Sequence, residues 1–284
     1  MSFYTLLLTV SFSLLAFAGN SLLCRLALAH TQIDPSSFTF IRLGSGAIVL
    51  ALIALSQKQR FIGQGNWLSA SALFVYAAAF SWSYVSLDTG TGAFILFATV
   101  QISMLFIAFS KGDKFSPNQW IGFVLAIVGL SLLLTPSQVS AVLYAVFMVI
   151  AGMAWAYYTI KGKSNRAPLL VSADNFLKSL PFAAVLVAFT WQGISVPADG
   201  ALYAVISGAV TSGLGYAIWY VCLPHLKSSK AAVLQLSVPV IATFAGILLL
   251  DESLSALMIA ASCIIIIGIY IALKQQKSRD SASS

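Results

Sequence analysis

Two cations stand where a charge needs a reason. Arg42 and Lys178 each lie about two turns inside a long apolar stretch of this 284-residue chain. A charge at that depth in hydrocarbon is costly unless it snorkels, pairs or faces a wet cavity. Asp174 precedes Lys178 by four residues, the spacing of a helical ion pair. A structural pair is one reading of Lys178; a cationic lining that draws a carboxylate or phosphate is the other. Arg42 has no acid a turn away, and for it the two readings stand level.

Aromatic and amide side chains give the second signal. Tyr76, Phe80 and Tyr84 recur every four residues; Trp155, Tyr157 and Tyr158 form a second group, and Tyr216, Trp219 and Tyr220 a third. An interfacial aromatic belt accounts for Tyr4, Tyr84 and Tyr270 at the ends of apolar stretches. Tyr76, Phe80, Trp155, Tyr158, Tyr216 and Tyr220 read as cavity lining, because a deep hydroxyl needs a partner. Asn20, Gln101 and Gln235 are the deep amides, with Phe97 one turn before Gln101 and Pro239 one turn after Gln235. The missing N–H of Pro239 frees the Gln235 carbonyl, which makes a ligand, a hinge or a simple kink. Asn20, Arg42, Tyr76, Phe80, Phe97, Gln101, Trp155, Tyr158, Lys178, Tyr216, Tyr220 and Gln235 form the candidate substrate-binding set, and Pro239 is the candidate hinge.

The elements that position these residues are apolar helices. Hydrophobic residues make up 60% of the chain and charged ones 8%, against roughly a quarter charged in soluble domains. Ten stretches, 3–23, 35–55, 67–87, 91–110, 118–134, 140–160, 170–191, 200–222, 231–250 and 254–273, each approach the roughly 20 residues that cross a bilayer. The loops are short, so helices adjacent in sequence are expected to be neighbours in space.

Charge alternates between the gaps. Lys58 and Arg60, Lys111 and Lys114, Lys161, Lys163 and Arg166, Lys227 and Lys230, and the tail Lys274, Lys277 and Arg279 are twelve of the fifteen basic residues. The intervening gaps hold Arg25 alone among cations, but Asp34, Asp88, Asp199, Asp251 and Glu252. Cytoplasmic loops retain Lys and Arg, which predicts a multi-pass protein of the inner (plasma) membrane with both termini cytoplasmic. Anionic lipid explains the net charge of +7 without a nucleic-acid partner. Cys24, Cys222 and Cys263 show no pairing or metal-ligand spacing, and no cofactor motif is present. Gly122, Ala126 and Gly129 form a small-residue stripe matched by Ala261 and Gly268. It reads as helix packing or as the contact of a weak homodimer; otherwise the chain is a monomer.

The two halves repeat. Ala93 aligns with Ala232, Asp113 with Glu252, Phe115 with Leu254 and Gly129 with Gly268, all 139 residues apart. Phe17 pairs with Trp155 and Arg25 with Lys163 at 138, Phe40 with Phe176 and Arg42 with Lys178 at 136. Five helices per copy is odd, so the second copy enters the membrane from the opposite side. The expected fold is an all-α integral membrane protein of ten transmembrane helices, arranged as two inverted five-helix repeats. The first repeat spans 1–137, the second 138–274, and a disordered tail 275–284. Inverted repeats are a plan of secondary transporters.

This arrangement resembles the drug/metabolite transporter superfamily, in particular its EamA-type ten-helix members. The run Ala231-Ala-Val-Leu-Gln-Leu-Ser-Val-Pro239-Val, followed by Leu250-Asp251-Glu252-Ser-Leu254, is similar to that family's late repeat signature. Arg42 matches a position that is often Arg in the family. Val238 departs from it, standing where Glu often precedes the proline. Thr99 occupies the place of Pro239 in the first copy, so only one of the paired helices should be broken. The resemblance implies a transporter, not an enzyme, that exports small polar metabolites, amino acids foremost, by alternating access. A lipid-linked or phosphorylated sugar transporter or flippase of the same fold is the alternative. An integral-membrane enzyme fares poorly: His30 and His225 fall at opposite faces and no paired-carboxylate cluster occurs. No carboxylate sits in mid-span, which disfavours coupling through a buried acid.

Overall fold

The structure, a computed structural model, describes residues 2–110, 112, 116–133, 139–162, 167–226 and 234–280. Of 139–141, 223 and 273–280 only the backbone is described. Lys111, Asp113, Lys114, Phe115, Lys163, Arg166, Lys227, Lys230, Ala231, Ala232 and the boundary between the expected repeats at 137/138 lie outside the described residues.

The described chain runs as ten helical rods. They are α1 (Phe3–His30), α2 (Pro35–Ser56), α3 (Trp67–Tyr84), α4 (Thr89–Ser110), α5 (Pro117–Leu133), α6 (Val139–Gly162), α7 (Pro168–Phe189), α8 (Ala198–Cys222), α9 (Ser237–Leu250) and α10 (Ala256–Asp280). Six of them, α1, α2, α4, α6, α7 and α8, are long and apolar enough to cross a membrane; α5, α9 and the first part of α10 are shorter apolar helices. The four Ser, two Tyr and two Trp of α3 keep it out of that group.

Local chemistry sets the ends. Ser2, Asp34 and Asn66 cap α1, α2 and α3 with side-chain oxygens, satisfying backbone donors that have no partner inside the helix. Pro35, Pro117 and Pro168 start α2, α5 and α7, where a missing N–H costs nothing. Asp251 stops α9 in the left-handed conformation, φ 54°.

Four expectations change. The first helix runs seven residues further, to His30, which moves Arg25 from a link into a helix. Helix continues to Asp280, where a disordered tail from 275 was expected; 281–284 are not described. The break expected at Pro239 falls at Leu236, between helical Leu234–Gln235 and α9. The chain turns at Leu236 and α9 begins at Ser237, so Pro239 occupies its first turn, where proline is tolerated. Ser237 Oγ donates to the Leu234 carbonyl at 2.6 Å and takes up one of the acceptors freed at that turn.

The fourth change is the packing order. Among the described residues α1 and α2, α6 and α7, and α9 and α10 barely touch. The main contacts join α5 to α10, α2 to α7, α4 to α9, α3 to α6, α1 to α8, α4 to α6, α1 to α9, α3 to α7 and α2 to α8. Small residues decide this. A Cβ on Gly122 would meet the Gly268 carbonyl and Ala272; one on Gly129 would meet Ile265 and the Ala261 carbonyl. The two stripes of small residues therefore grip each other within one chain.

The α1–α2 link is tied to the segment before α8. Asp34 accepts from Ser36 N, Ser37 N and Ser195 N, and Asp34 N donates to the Ser195 carbonyl. Partial burial pushes this carboxyl up, but hydrogen bonds from Ser37, Ser195 and Ser36 hold it below the ordinary aspartate range. A depressed carboxyl stabilises the fold above its unfolded value, and that contribution is lost as pH falls through the lower folded value.

Three substitutions test these contacts. Gly268→Leu drives a side chain into α5 and should destabilise by on the order of 1–3 kcal/mol. Gly193→Leu, which meets nothing within 4 Å, should leave the thermal midpoint in detergent unchanged. Asp34→Asn should flatten the loss of midpoint on acidification below the ordinary aspartate range, read by thermal melts across a pH series.

Candidate functional site

The middle of the bundle holds a buried cation among rings. Arg42, on α2, is 2% exposed. Its Nη2 donates to the Tyr76 hydroxyl at 3.0 Å. Its guanidinium carbon lies 5.3 Å from the Tyr76 ring centroid and 5.0 Å from that of Phe80, both on α3. The negative ring faces offset part of the cost of a desolvated charge. Nη1 is buried and has no hydrogen-bond partner.

Asn20 of α1 ties this centre to α8. Its Nδ2 donates to the Tyr76 hydroxyl at 3.4 Å, and its Oδ1 accepts from Ser207 at 2.8 Å, with the Thr211 hydroxyl 3.3 Å away. Ser207–Leu214 is the π-helical middle of α8. A Cβ on Gly208 would strike the Arg42 carbonyl and Ser45 Oγ, so only glycine lets this segment lie against α2. Local π-helical turns are rare and gather at functional sites.

Rings continue the site towards α6. Tyr76 and Trp155 centroids are 4.7 Å apart, and Trp155 stacks on Tyr216 at 5.2 Å with 24° between planes. Phe17 and Phe176 flank Tyr216. From Trp155 the chain of rings passes to Tyr158 at 5.5 Å. The Tyr158 hydroxyl donates to Ser172 Oγ at 3.4 Å. Tyr158, Tyr220, Ser69, Ser172 and Asn175 line a narrow polar cleft beside Gly162 and Pro168, at the end of the bundle that carries the α2–α3 and α6–α7 links.

The structure thus brings together Asn20, Arg42, Tyr76, Phe80, Trp155 and Tyr216, with Tyr158 and Tyr220 next in line. Phe97 packs between two groups of core residues, Gln101 is buried on α4, and Gln235 and Pro239 precede or open α9. One of the two groups that Phe97 packs against also holds Tyr76, Phe80 and Tyr216; Gln101, Gln235 and Pro239 make no described contact with the cluster.

Lys178 also stands apart. Its Nζ meets Asp174 Oδ2 at 2.7 Å and donates to the Gly65 carbonyl at 2.9 Å. The same Asp174 oxygen accepts from Gly63 N and Gly65 N, and Asn175 Oδ1 accepts from Asn66 N. The α2–α3 link, with Lys58 and Arg60, folds back along α7, which places Lys178 beside a polar link instead of deep among apolar side chains. Its other side faces a groove of about 450 Å³ lined by Phe40, Trp67, Leu177, Leu180, Pro181 and Ala184. Phe40, Trp67 and Leu177 are exposed there, so this larger hollow lies on the outer flank, away from Arg42.

Sequence reasoning missed the opposite end. Arg25 Nη1 donates to the Tyr84 and Val85 carbonyls, both at 3.2 Å, and Nη2 reaches Asp88 at 3.4 Å. Its Nε lies 3.4 Å from Glu252 Oε1, an ionic contact whose angle does not make a hydrogen bond. Glu252 accepts from Thr89 N and Oγ1 at 2.9 Å, capping α4 from the α9–α10 link. The alignment of Arg25 with Lys163 and of Asp113 with Glu252 singled out both partners but could not pair them. Ser207, Thr211 and Phe176 were also missed; the run Ser207-Gly-Ala-Val-Thr-Ser-Gly213 carried the signal, two glycines among three hydroxyls.

The described bundle thus holds a buried guanidinium facing rings at its centre and an ion pair, Arg25 with Glu252, towards one end. The chain belongs to the EamA-like transporter family, whose model matches twice, at residues 4–135 and 142–274. An uncharacterized protein of Pseudomonas aeruginosa is 46% identical over 97% of this chain and 96% of its own length. A probable amino-acid metabolite efflux pump of Escherichia coli is 25% identical, covering 72% of this chain and 76% of its own. The like-named pump of Salmonella typhimurium is 25% identical over 65% and 67%. A crystal structure superposes with a TM-score of 0.69 over 98% of this chain and 99% of that chain, at 16% identity, a likeness of fold.

A double-mutant cycle tests the Arg25–Glu252 contact. Their side chains are 15% and 9% exposed, so Arg25→Gln and Glu252→Gln should couple by roughly 0.5–3 kcal/mol in thermal unfolding. Asp88, 49% exposed, should couple to Arg25 by no more than about 1 kcal/mol.

Proposed function

We propose that this protein is a secondary transporter that exports small polar metabolites bearing one carboxylate, amino acids and the acids derived from them. Two inverted five-helix repeats exchange access to a central site, with ten spans in the inner membrane and both termini in the cytoplasm. The observation that carries the reading is Arg42: a fully buried guanidinium with one nitrogen unpaired, ringed by aromatics. An unpaired buried donor is costly, and a carboxylate that enters would complete it.

The pairing of helices supports the repeats. Exchange each helix for the one five places along, and α5–α10, α2–α7 and α4–α9 map onto themselves. The contacts α3–α6, α4–α6 and α3–α7 become α8–α1, α9–α1 and α8–α2, all of which are present. Such symmetry lets one conformation of each copy be swapped for the other's. The polar cleft at Tyr158 and Tyr220 lies on the side assigned to the cytoplasm, where an exporter takes up its cargo. The Arg25–Glu252 contact closes the other side. The names of the Escherichia coli and Salmonella typhimurium relatives point to the same class of cargo.

Counterflow in proteoliposomes tests this. Amino acids, their deaminated acids, nucleosides and sugar phosphates are offered with and without a pH gradient. Arg42→Ala should cut carboxylate exchange at least tenfold with unchanged protein level, because its side chain serves the cargo. Lys178→Ala should instead lower protein level, because it holds the α2–α3 link. Exchange of sugar phosphates alone would overturn the proposal in favour of a flippase-like transporter.

A further inference from the structure

We infer that the central site selects against the ammonium group, so its preferred cargo is a monocarboxylate without an amine, ahead of the zwitterionic amino acid of the same skeleton. This deepens the proposed function and rests on it.

The site offers positive charge and donors. Arg42 Nη1 is buried and unpartnered, so a carboxylate has a ready partner. An ammonium entering the same space needs a carboxylate or free carbonyl. Six carboxylates have described side chains, and none reaches the cluster. Asp174 is held by Gly63, Gly65 and Lys178. Glu252 is held by Thr89 and Arg25, with Asp88 beside it. Asp34 caps α2 and binds Ser195. Asp199 opens α8 and Asp251 lies in the α9–α10 link.

The nearest amide and phenol oxygens are already in use, which leaves an ammonium only uncharged hydroxyls such as those of Ser207 and Thr211. Asn20 Oδ1 takes the Ser207 proton with Thr211 close by, and the Tyr76 oxygen already receives Arg42 and Asn20. Ring faces remain, but those of Tyr76 and Phe80 that meet Arg42 already serve its cation, and one face each of Trp155 and Tyr216 is taken by the other. A second cation would add repulsion from Arg42 to its own desolvation. The carbon body of a monoanion meets no such penalty against the rings.

Binding to the purified protein in detergent tests this with three ligands of one skeleton: 3-phenylpropanoate, phenylalanine and 2-phenylethylamine. Calorimetry should give the acid at least tenfold tighter than the amino acid, with no detectable binding of the amine. Arg42→Lys should keep that order at lower affinity. Arg42→Gln should abolish binding of the acid while the thermal midpoint stays that of a folded protein. Should Arg42→Gln fail to fold, the order kept by Arg42→Lys carries the test. Phenylalanine binding as tightly as the acid, or any binding of the amine, overturns the inference and leaves the transporter reading intact. Binding of none of the three, with amino acids exchanged in counterflow, overturns it as well. Binding of none without any carboxylate exchange overturns both.

Discussion

One buried guanidinium organises the centre of this protein. Arg42 is held by a single hydroxyl and two ring faces, and one of its nitrogens faces no acceptor. A hydrophobic side chain of the same volume would remove that cost outright. The surrounding structure instead keeps the charge and builds around it. Tyr76 bridges it to Asn20, Asn20 bridges to Ser207, and the π-helical stretch of α8 is pressed onto α2 at Gly208. Four helices, α1, α2, α3 and α8, therefore converge on one charge.

The two ends of the bundle are built differently from this centre. At one end Asp174, Asn175 and Lys178 fasten the α2–α3 link with backbone hydrogen bonds. At the other, Arg25 joins α1, the α3–α4 link and Glu252 from the α9–α10 link. Both networks satisfy their charges locally. Among the described buried cations Arg42 is the one with no carboxylate beside it, which sets it apart from Arg25 and Lys178.

Much of the fold was legible in the sequence, because hydrocarbon demands long apolar helices and charge marks where they end. The helix ends were foreseen within a few residues for most elements, and of the two readings of the stripe at Gly122, Ala126 and Gly129, packing or a dimer contact, the structure shows packing within the chain. Helix order in space was not legible: short links constrain where a helix starts, not which face of which neighbour it meets. The site was half legible. Arg42, Tyr76, Phe80, Trp155 and Tyr216 stood out because polar or large side chains in mid-span need a reason. For Lys178 the spacing from Asp174 foretold the ion pair, but depth counted along α7 did not show that the α2–α3 link folds back beside it. The role of Ser207 and Thr211 was hidden, because small hydroxyl residues are cheap anywhere in a helix. Arg25 was placed in a link because α1 was ended too early.

The most direct measurement is a structure of the protein with a carboxylate ligand bound. The account predicts the carboxylate within hydrogen-bonding distance of Arg42 Nη1, with the ligand's carbon body against Trp155 and Tyr216. A ligand seated elsewhere, with Nη1 still facing no acceptor, would contradict it.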